Sequence, residues 1–257
     1  MTRFLLLALC FLSISVAHAA RPPVPMEVQA EDGERIPVLV LEPEGDAANP
    51  PVAVLLHGLT RKKEDWLSDT EPTYGGGLTE HLLRSGYRVY LLDARLHGAR
   101  ANPDARPGAL AKRANKGDTA PYQAMIVDTV RDARALLARV LAKSKPPRVL
   151  VAGYSMGAQV GLLVASREPR VTHLVTMVPP HVDPVLGDAA PVNRMGGIQQ
   201  TWLLLTATRD QFSTEENNQA LFKAAPSKRK TRKAFDSEHA LPREYLDEVR
   251  RWLSEQR

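Results

Sequence analysis

Strand-length segments rich in apolar residues recur along the chain, each halted by a histidine, aspartate or glycine: the continuous apolar run Val52–Leu56 before His57-Gly58, residues 87–92 before Asp93, and residues 148–152 before Gly153. Residues 173–178 and 201–206 form two more. Runs without polar alternation mark strands buried on both faces, as in parallel sheets. Between them the apolar positions shift to a helical period. Residues 120–142 carry Ile126, Val130, Ala133, Leu137, Val140 and Leu141 at helical spacing, and residues 78–84 form a shorter helix closed by Ser85-Gly86. Further helices are expected near 158–166, 214–223 and 242–255, the last with Pro242 in its first turn. At the start, stretches around 26–30 and 35–41 meet across Asp32-Gly33 as a hairpin, and a last strand is expected near 232–235.

This alternation predicts an α/β fold, a mainly parallel central sheet with helices on both faces and an N-terminal hairpin. Such sheets bind ligands beyond the C-terminal ends of their strands. Two connections are unusually long: residues 98–119, rich in Arg, Pro, Gly and Ala, and residues 179–200, which hold Pro179, Pro180, Pro184 and Pro191. Both read as irregular loops of the kind that carry function.

A chain of 257 residues suffices for one domain with a sizeable core, and no linker divides it. Residues 1–19 stand apart: Arg3, the apolar run 4–16 and Ala17-His18-Ala19 match a secretory signal cleaved before Ala20, leaving 20–257 as a single domain. That run is shorter than the roughly twenty apolar residues that span a bilayer, so no stable membrane insertion is expected after cleavage. Leu9 before Cys10 does not suit a lipid-attachment site. The expected location is therefore periplasmic or extracellular. Cys10 is the only cysteine, so the mature chain has no thiol nucleophile, disulfide or cysteine metal ligand. The net charge of +5 raises the question of nucleic acid. The one dense basic run, Lys228, Arg229, Lys230, Arg232 and Lys233, has no interleaved aromatic residues to stack bases, and reads instead as a solvated strand edge.

The strongest chemical signal is Gly153-Tyr154-Ser155-Met156-Gly157, between a buried strand and a helix. Turning a strand straight into a helix forces a tight, strained corner with the serine at its tip. A hydroxyl is a poor nucleophile at neutral pH, so it needs an imidazole base and a carboxylate to orient that base. The elbow architecture orders these serine, acid, histidine along the chain. His239, just after the last strand, is the candidate base, ahead of His181 and His173. Asp210, after the strand ending near Thr206, is the candidate acid; Asp183 competes from the preceding strand, and Asp236 is too close to His239 in sequence. Backbone N–H donors for an oxyanion are expected from Met156 and from Leu59 in the loop His57-Gly58-Leu59-Thr60, with His57 bracing that loop.

With these residues in place the chain resembles the α/β-hydrolase superfamily from His57-Gly58 to His239, most of all its bacterial esterase and dienelactone-hydrolase-like branch. Residues 87–98, Tyr-Arg-Val-Tyr-Leu-Leu-Asp-Ala-Arg-Leu-His-Gly, are similar to that branch's strand ending in Asp-Xaa-Arg-Gly-His-Gly, with Leu96 where a glycine usually stands. The resemblance implies that Ser155, Asp210 and His239 form a triad that cleaves a small-molecule carboxylic ester through an acyl-enzyme, with no metal or organic cofactor. Dienelactone hydrolases use a cysteine nucleophile, which disfavours that activity here, and the His-Gly-Gly-Gly signature of another esterase branch is absent. A serine peptidase or thioesterase would share every step. A non-catalytic binding protein on the same fold is a third reading, disfavoured by the ordered triad. The resemblance also puts any lid over a long acyl chain within residues 179–200, and the few large apolar side chains there imply short acyl groups.

Overall fold

The computed structural model describes residues 22–45, 47–69 and 73–256; the expected signal segment and Cys10 lie outside the described residues. Eight strands form one sheet: β1 (Val24–Gln29), β2 (Arg35–Leu41), β3 (Val52–Leu56), β4 (Arg88–Leu92), β5 (Val149–Tyr154), β6 (His173–Met177), β7 (Thr201–Ala207) and β8 (Lys230–Phe235). Their spatial order is β1-β2-β4-β3-β5-β6-β7-β8. The hairpin β1–β2 adds antiparallel to β4, and every pairing from β4 onward is parallel. Among the described residues six α-helices accompany it: α1 (Gly75–Arg84), α2 (Pro107–Ala114), α3 (Ala120–Leu141), α4 (Met156–Ala165), α5 (Glu215–Ala224) and α6 (Tyr245–Glu255).

The strand period of two divides each apolar run between two cores. In β3, Val52, Val54 and Leu56 join Val151, Leu174 and Leu204 beneath α3 and α4. Ala53 and Leu55 join Leu150, Val175 and Leu203 on the opposite face with Leu78, Leu82, Val249 and Trp252 of α1 and α6. All five β3 residues are buried, which is why the run shows no polar alternation. Each buried Val or Leu contributes about 1.5–3 kcal/mol relative to exposure, so this two-sided burial holds the central strands in the middle of the sheet. Helix α4 is buried along its whole length. Its one strongly polar side chain, Gln159, accepts from the Tyr122 hydroxyl at 2.9 Å and donates to the Ala189 carbonyl at 2.8 Å, so its burial leaves no unpaired amide.

Several boundaries differ from the sequence pattern. Helix α1 starts at Gly75 rather than Leu78, and its first position must be glycine, since a Cβ there would stand 2.6 Å from the Asp65 carbonyl oxygen. The glycine run is thus a packing surface inside the helix. Helix α4 begins at Met156, immediately after the elbow. The basic run opens β8, an edge strand, two residues earlier than expected. Lys230 donates to the Phe222 and Ala225 carbonyls at 2.7 and 2.6 Å, capping the end of α5, while the next cation on the same face, Arg232, bonds Glu215 and Thr206.

Both long loops are more ordered than expected. Residues 98–119 contain α2, and residues 179–200 contain two 3-10 turns, Pro184–Ala189 and Pro191–Gly197. Leu186, Ala189, Met195 and Ile198 are buried in the core shared with α3 and α4.

Candidate active site

The chain enters the elbow from β5, whose residues Val149–Tyr154 are all buried, and leaves it directly into α4. Ser155 sits between them at φ 54°, ψ −119°, a region that costs a non-glycine residue of order 1–3 kcal/mol. Its surroundings hold it there. The Ser155 N–H donates to the Met177 carbonyl at 2.8 Å, and its own carbonyl accepts from Ala158 and Gln159. The flanking glycines are sterically required: a Cβ on Gly153 would lie 2.1 Å from the Gly157 oxygen, and one on Gly157 2.0 Å from the Leu56 oxygen.

The His239 Nε2 lies 2.8 Å from Ser155 Oγ, and its Nδ1 lies 2.9 Å from each Asp210 oxygen. The three residues expected from the motif order are therefore in one hydrogen-bonded line. The Asp210 side chain is 1% exposed and that of His239 17%, so the carboxylate is sealed while the imidazole edge remains open to a reactant. The Phe212 N–H donates to Asp210 Oδ1 at 2.8 Å, fixing the carboxylate from its own loop. The ring of Phe212 meets the imidazole edge-on at 4.7 Å between centroids and is 52% exposed.

The competing residues have other partners. Asp183 accepts from Val185 N–H at 2.8 Å at the start of a 3-10 turn. Asp236 accepts from the Thr208 hydroxyl at 3.1 Å and pairs with Arg209. His181 is exposed, and its N–H donates to the Phe212 carbonyl.

The expected oxyanion donors stand beside the serine. Met156 occupies the first position of α4, where an N–H has no intrahelical acceptor. Gly58 lies against Ser155, with a Cβ built on it 3.5 Å from Ser155 Cβ. In the loop that follows, the Thr60 and Arg61 N–H groups are both engaged, with His97 and Gly58 respectively. Among the described residues the Leu59 N–H has no such acceptor.

Two buried histidines brace this loop. His57 Nδ1–H donates to the Gly58 carbonyl at 2.9 Å and its Nε2 accepts from Ala94 N–H at 3.0 Å. His97 repeats the pattern, donating to the Arg95 carbonyl at 2.7 Å and accepting from Thr60 at 3.3 Å. Each ring thus needs one bare nitrogen, which requires the neutral form. Burial pushes the His57 imidazole below its usual range and that of His97 down to about 4. Below them Asp93, fully buried, accepts from Lys63 Nζ at 2.7 Å and from the Lys63 and Ala99 N–H groups. Arg95 forks onto Asp132 of α3 at 2.6 and 2.8 Å and reaches Asp32 in the hairpin turn. Leu96, in the position of the branch's glycine, takes a left-handed φ of 66°.

Sequence pattern gave no sign of Tyr154. Its hydroxyl donates to the His239 carbonyl at 3.0 Å and accepts from Leu241 N–H at 2.8 Å, so the residue before the serine latches the loop that carries the histidine. Burial pushes this phenol up to about 12, which keeps it a simultaneous donor and acceptor.

An elbow serine, an imidazole and a sealed carboxylate at the strand ends of this sheet define a hydrolase architecture. A model of the alpha/beta hydrolase family matches residues 53–256, and the chain belongs to that family. Among solved structures, an esterase of Pyrococcus furiosus matches with a TM-score of 0.67 at 20% identity, covering 91% of this chain and 92% of its own. A cold-adapted esterase from an Arctic intertidal metagenomic library gives 0.68 at 21% identity, covering 91% and 92%. An acylaminoacyl peptidase of Pyrococcus horikoshii also gives 0.68, at 11% identity, over 93% of this chain and 42% of the peptidase. At these identities the likeness concerns the fold. No curated protein matches the chain by sequence.

Proposed function

We propose that this protein is an exported serine hydrolase that cleaves carboxylic esters of short acyl groups. The observation that carries the reading is the position of His239, within hydrogen-bond reach of Ser155 Oγ on one side and Asp210 on the other. His239 Nε2 takes the serine proton as Oγ attacks the ester carbonyl. Asp210 holds the Nδ1–H tautomer and offsets the imidazolium charge. The oxyanion that develops is met by the Leu59 N–H of the loop after β3 and by the Met156 N–H at the N-terminus of α4, where the helix dipole favours negative charge. Collapse expels the alcohol, which takes its proton from His239. Water, deprotonated by the same imidazole, then releases the acid.

The preference for short acyl groups is supported by where residues 179–200 spend their apolar side chains. Leu186, Met195 and Ile198 pack onto α3 and α4, and Asp188 ties the segment to Arg167 beyond α4 while pairing with Arg194 inside it. Val185 and Val192 are what it leaves exposed, too little to wall a long chain when each buried methylene contributes about 0.8 kcal/mol.

Labelling with a fluorophosphonate tests the nucleophile. Wild-type protein should be labelled and Ser155→Ala should not, with turnover of p-nitrophenyl acetate lowered by roughly 10⁴-fold or more. A Ser155→Ala variant retaining more than about a tenth of the activity overturns the assignment. A parallel panel of thioester and peptide substrates separates the ester reading from its relatives with other leaving groups.

A further inference from the structure

We propose that the oxyanion-loop side of the cleft recognises a carboxylate on the substrate through Arg61, so that the preferred esters are half-esters of short dicarboxylic acids. The inference rests on the ester-hydrolase reading above and adds the substrate class.

Three observations carry it. The first is position: Arg61 Cγ lies 3.8 Å from where a Cβ on Gly58 would stand, a point itself 3.5 Å from Ser155 Cβ. Its positive charge also acts on the Tyr154 hydroxyl, the group that bonds the His239 carbonyl. The second is the lack of a partner. Around the sheet ends arginines are matched with acids: Arg95 with Asp132, Arg100 with Glu34, Arg209 with Asp236, Arg243 with Asp69. Arg61 is half-buried, and among the described residues its guanidinium has no carboxylate. A partly desolvated cation without an anion is an unfavourable arrangement that a bound carboxylate would relieve.

The third is the field around it. Helix α2 stands against this loop, a Cβ on its Gly108 falling 3.6 Å from Thr60 Cγ2. Lys62 in the loop and Arg106 and Lys112 at α2 are exposed, and none has a carboxylate partner among the described residues. Cations of one sign along one wall raise the local concentration of anionic substrate. Across the serine, on the β7 side, the ring of Phe212 is exposed beside the imidazole of His239. A single planar guanidinium fork matches a carboxylate, which it can bind with two parallel hydrogen bonds.

The test compares kcat/KM for monoethyl succinate and monoethyl glutarate with that for ethyl butyrate, in wild-type protein and in Arg61→Gln and Arg61→Lys, each checked for an unchanged melting transition. The readout is the ratio of anionic to neutral ester. Loss of a charge-assisted contact should lower that ratio by about 10- to 100-fold in Arg61→Gln and less in Arg61→Lys. Added salt should lower it in wild-type protein. A ratio that moves by less than about twofold in Arg61→Gln, with ethyl butyrate still hydrolysed by the wild type, overturns the carboxylate site and leaves the esterase reading standing. Wild-type protein inert toward all three esters overturns both.

Discussion

Replacing Tyr154 by phenylalanine removes one oxygen from the molecule and tests whether the histidine loop is held by it. The ring itself should stay in place, since it packs edge-on against His239 and Tyr245 at 6.2 and 6.3 Å between centroids. What disappears is a pair of hydrogen bonds. Leu241 N–H is left buried without an acceptor, which costs about 1–3 kcal/mol, and the His239 carbonyl loses a donor, worth about 0.5–1.5 kcal/mol. A loss of about 2–4 kcal/mol in unfolding free energy follows, or a fall in melting temperature of roughly 5–15 °C for a domain of this size. The effect on turnover comes through geometry. His239 must hold Nε2 at 2.8 Å from the serine, and a misplacement of about 1 Å can cost around 100-fold in rate. Steady-state kinetics on p-nitrophenyl acetate should therefore show kcat down by about 10- to 100-fold and KM within a factor of about two, because Tyr154 does not face the substrate. A variant that loses stability yet keeps its kcat would show that the loop is positioned by other contacts, and the latch would be wrong.

The remaining expectations concern the acid, the braces and the acyl group. Asp210→Asn should lower kcat by about 10⁴-fold while Asp183→Asn, which removes only a turn cap, changes it little; the reverse order would move the acid to the preceding strand. His97 is held at about 4, below the value of about 6.5 it has when unfolded, so the unfolded chain takes up its proton first as pH falls. Its contribution is thus intact above pH 6.5 and is lost progressively down to about 4, amounting to about 3 kcal/mol. Urea unfolding at pH 7.5, 6 and 4.5 should show a shallower pH slope in His97→Gln than in wild-type protein, and equal slopes would refute the brace. Across p-nitrophenyl esters, kcat/KM should fall from butyrate to palmitate when all are kept soluble; a maximum at ten carbons or more would mean that residues 179–200 open into a groove.

How far the sequence revealed this molecule depended on the range of the signal. The central strands β3, β5 and β7 were legible because burial on both faces removes every charged residue from the run. The elbow was legible because its glycines stand at a fixed, short spacing around the serine, although the contact that excludes a side chain at Gly157 comes from Leu56 at the end of β3. The turns within 179–200 were not, since 3-10 segments are too short to build a period and their buried residues Leu186, Met195 and Ile198 fall at irregular intervals. The start of α1 was hidden because glycine reads as a helix breaker, whereas here it admits the close approach of Asp65. Tyr154 was invisible for a different reason: its partners are 85 and 87 residues away, and no local pattern encodes them.

The need for such a latch follows from the order of strands. Ser155 leaves β5 and Asp210 follows β7, but His239 follows β8, the edge strand, three positions from β5. At about 4.8 Å per strand the imidazole begins roughly 14 Å from the serine and must return across two strand ends. A loop making that span on an exposed edge is drawn from the least stable part of a sheet. Its anchors are accordingly placed on the rigid centre: Tyr154 from β5 takes the backbone at the carbonyl of the histidine and at the N–H of Leu241 just beyond it, and Leu241 is buried against the α1–α6 face. Asp210 then has only to orient the ring, not to carry the loop. On this account the histidine loop of Tyr154→Phe should exchange its amide hydrogens faster than that of the wild type while β5 and β7 keep their protection. Uniform loss of protection across the sheet would instead mean that Tyr154 supports the whole domain rather than the one loop it touches.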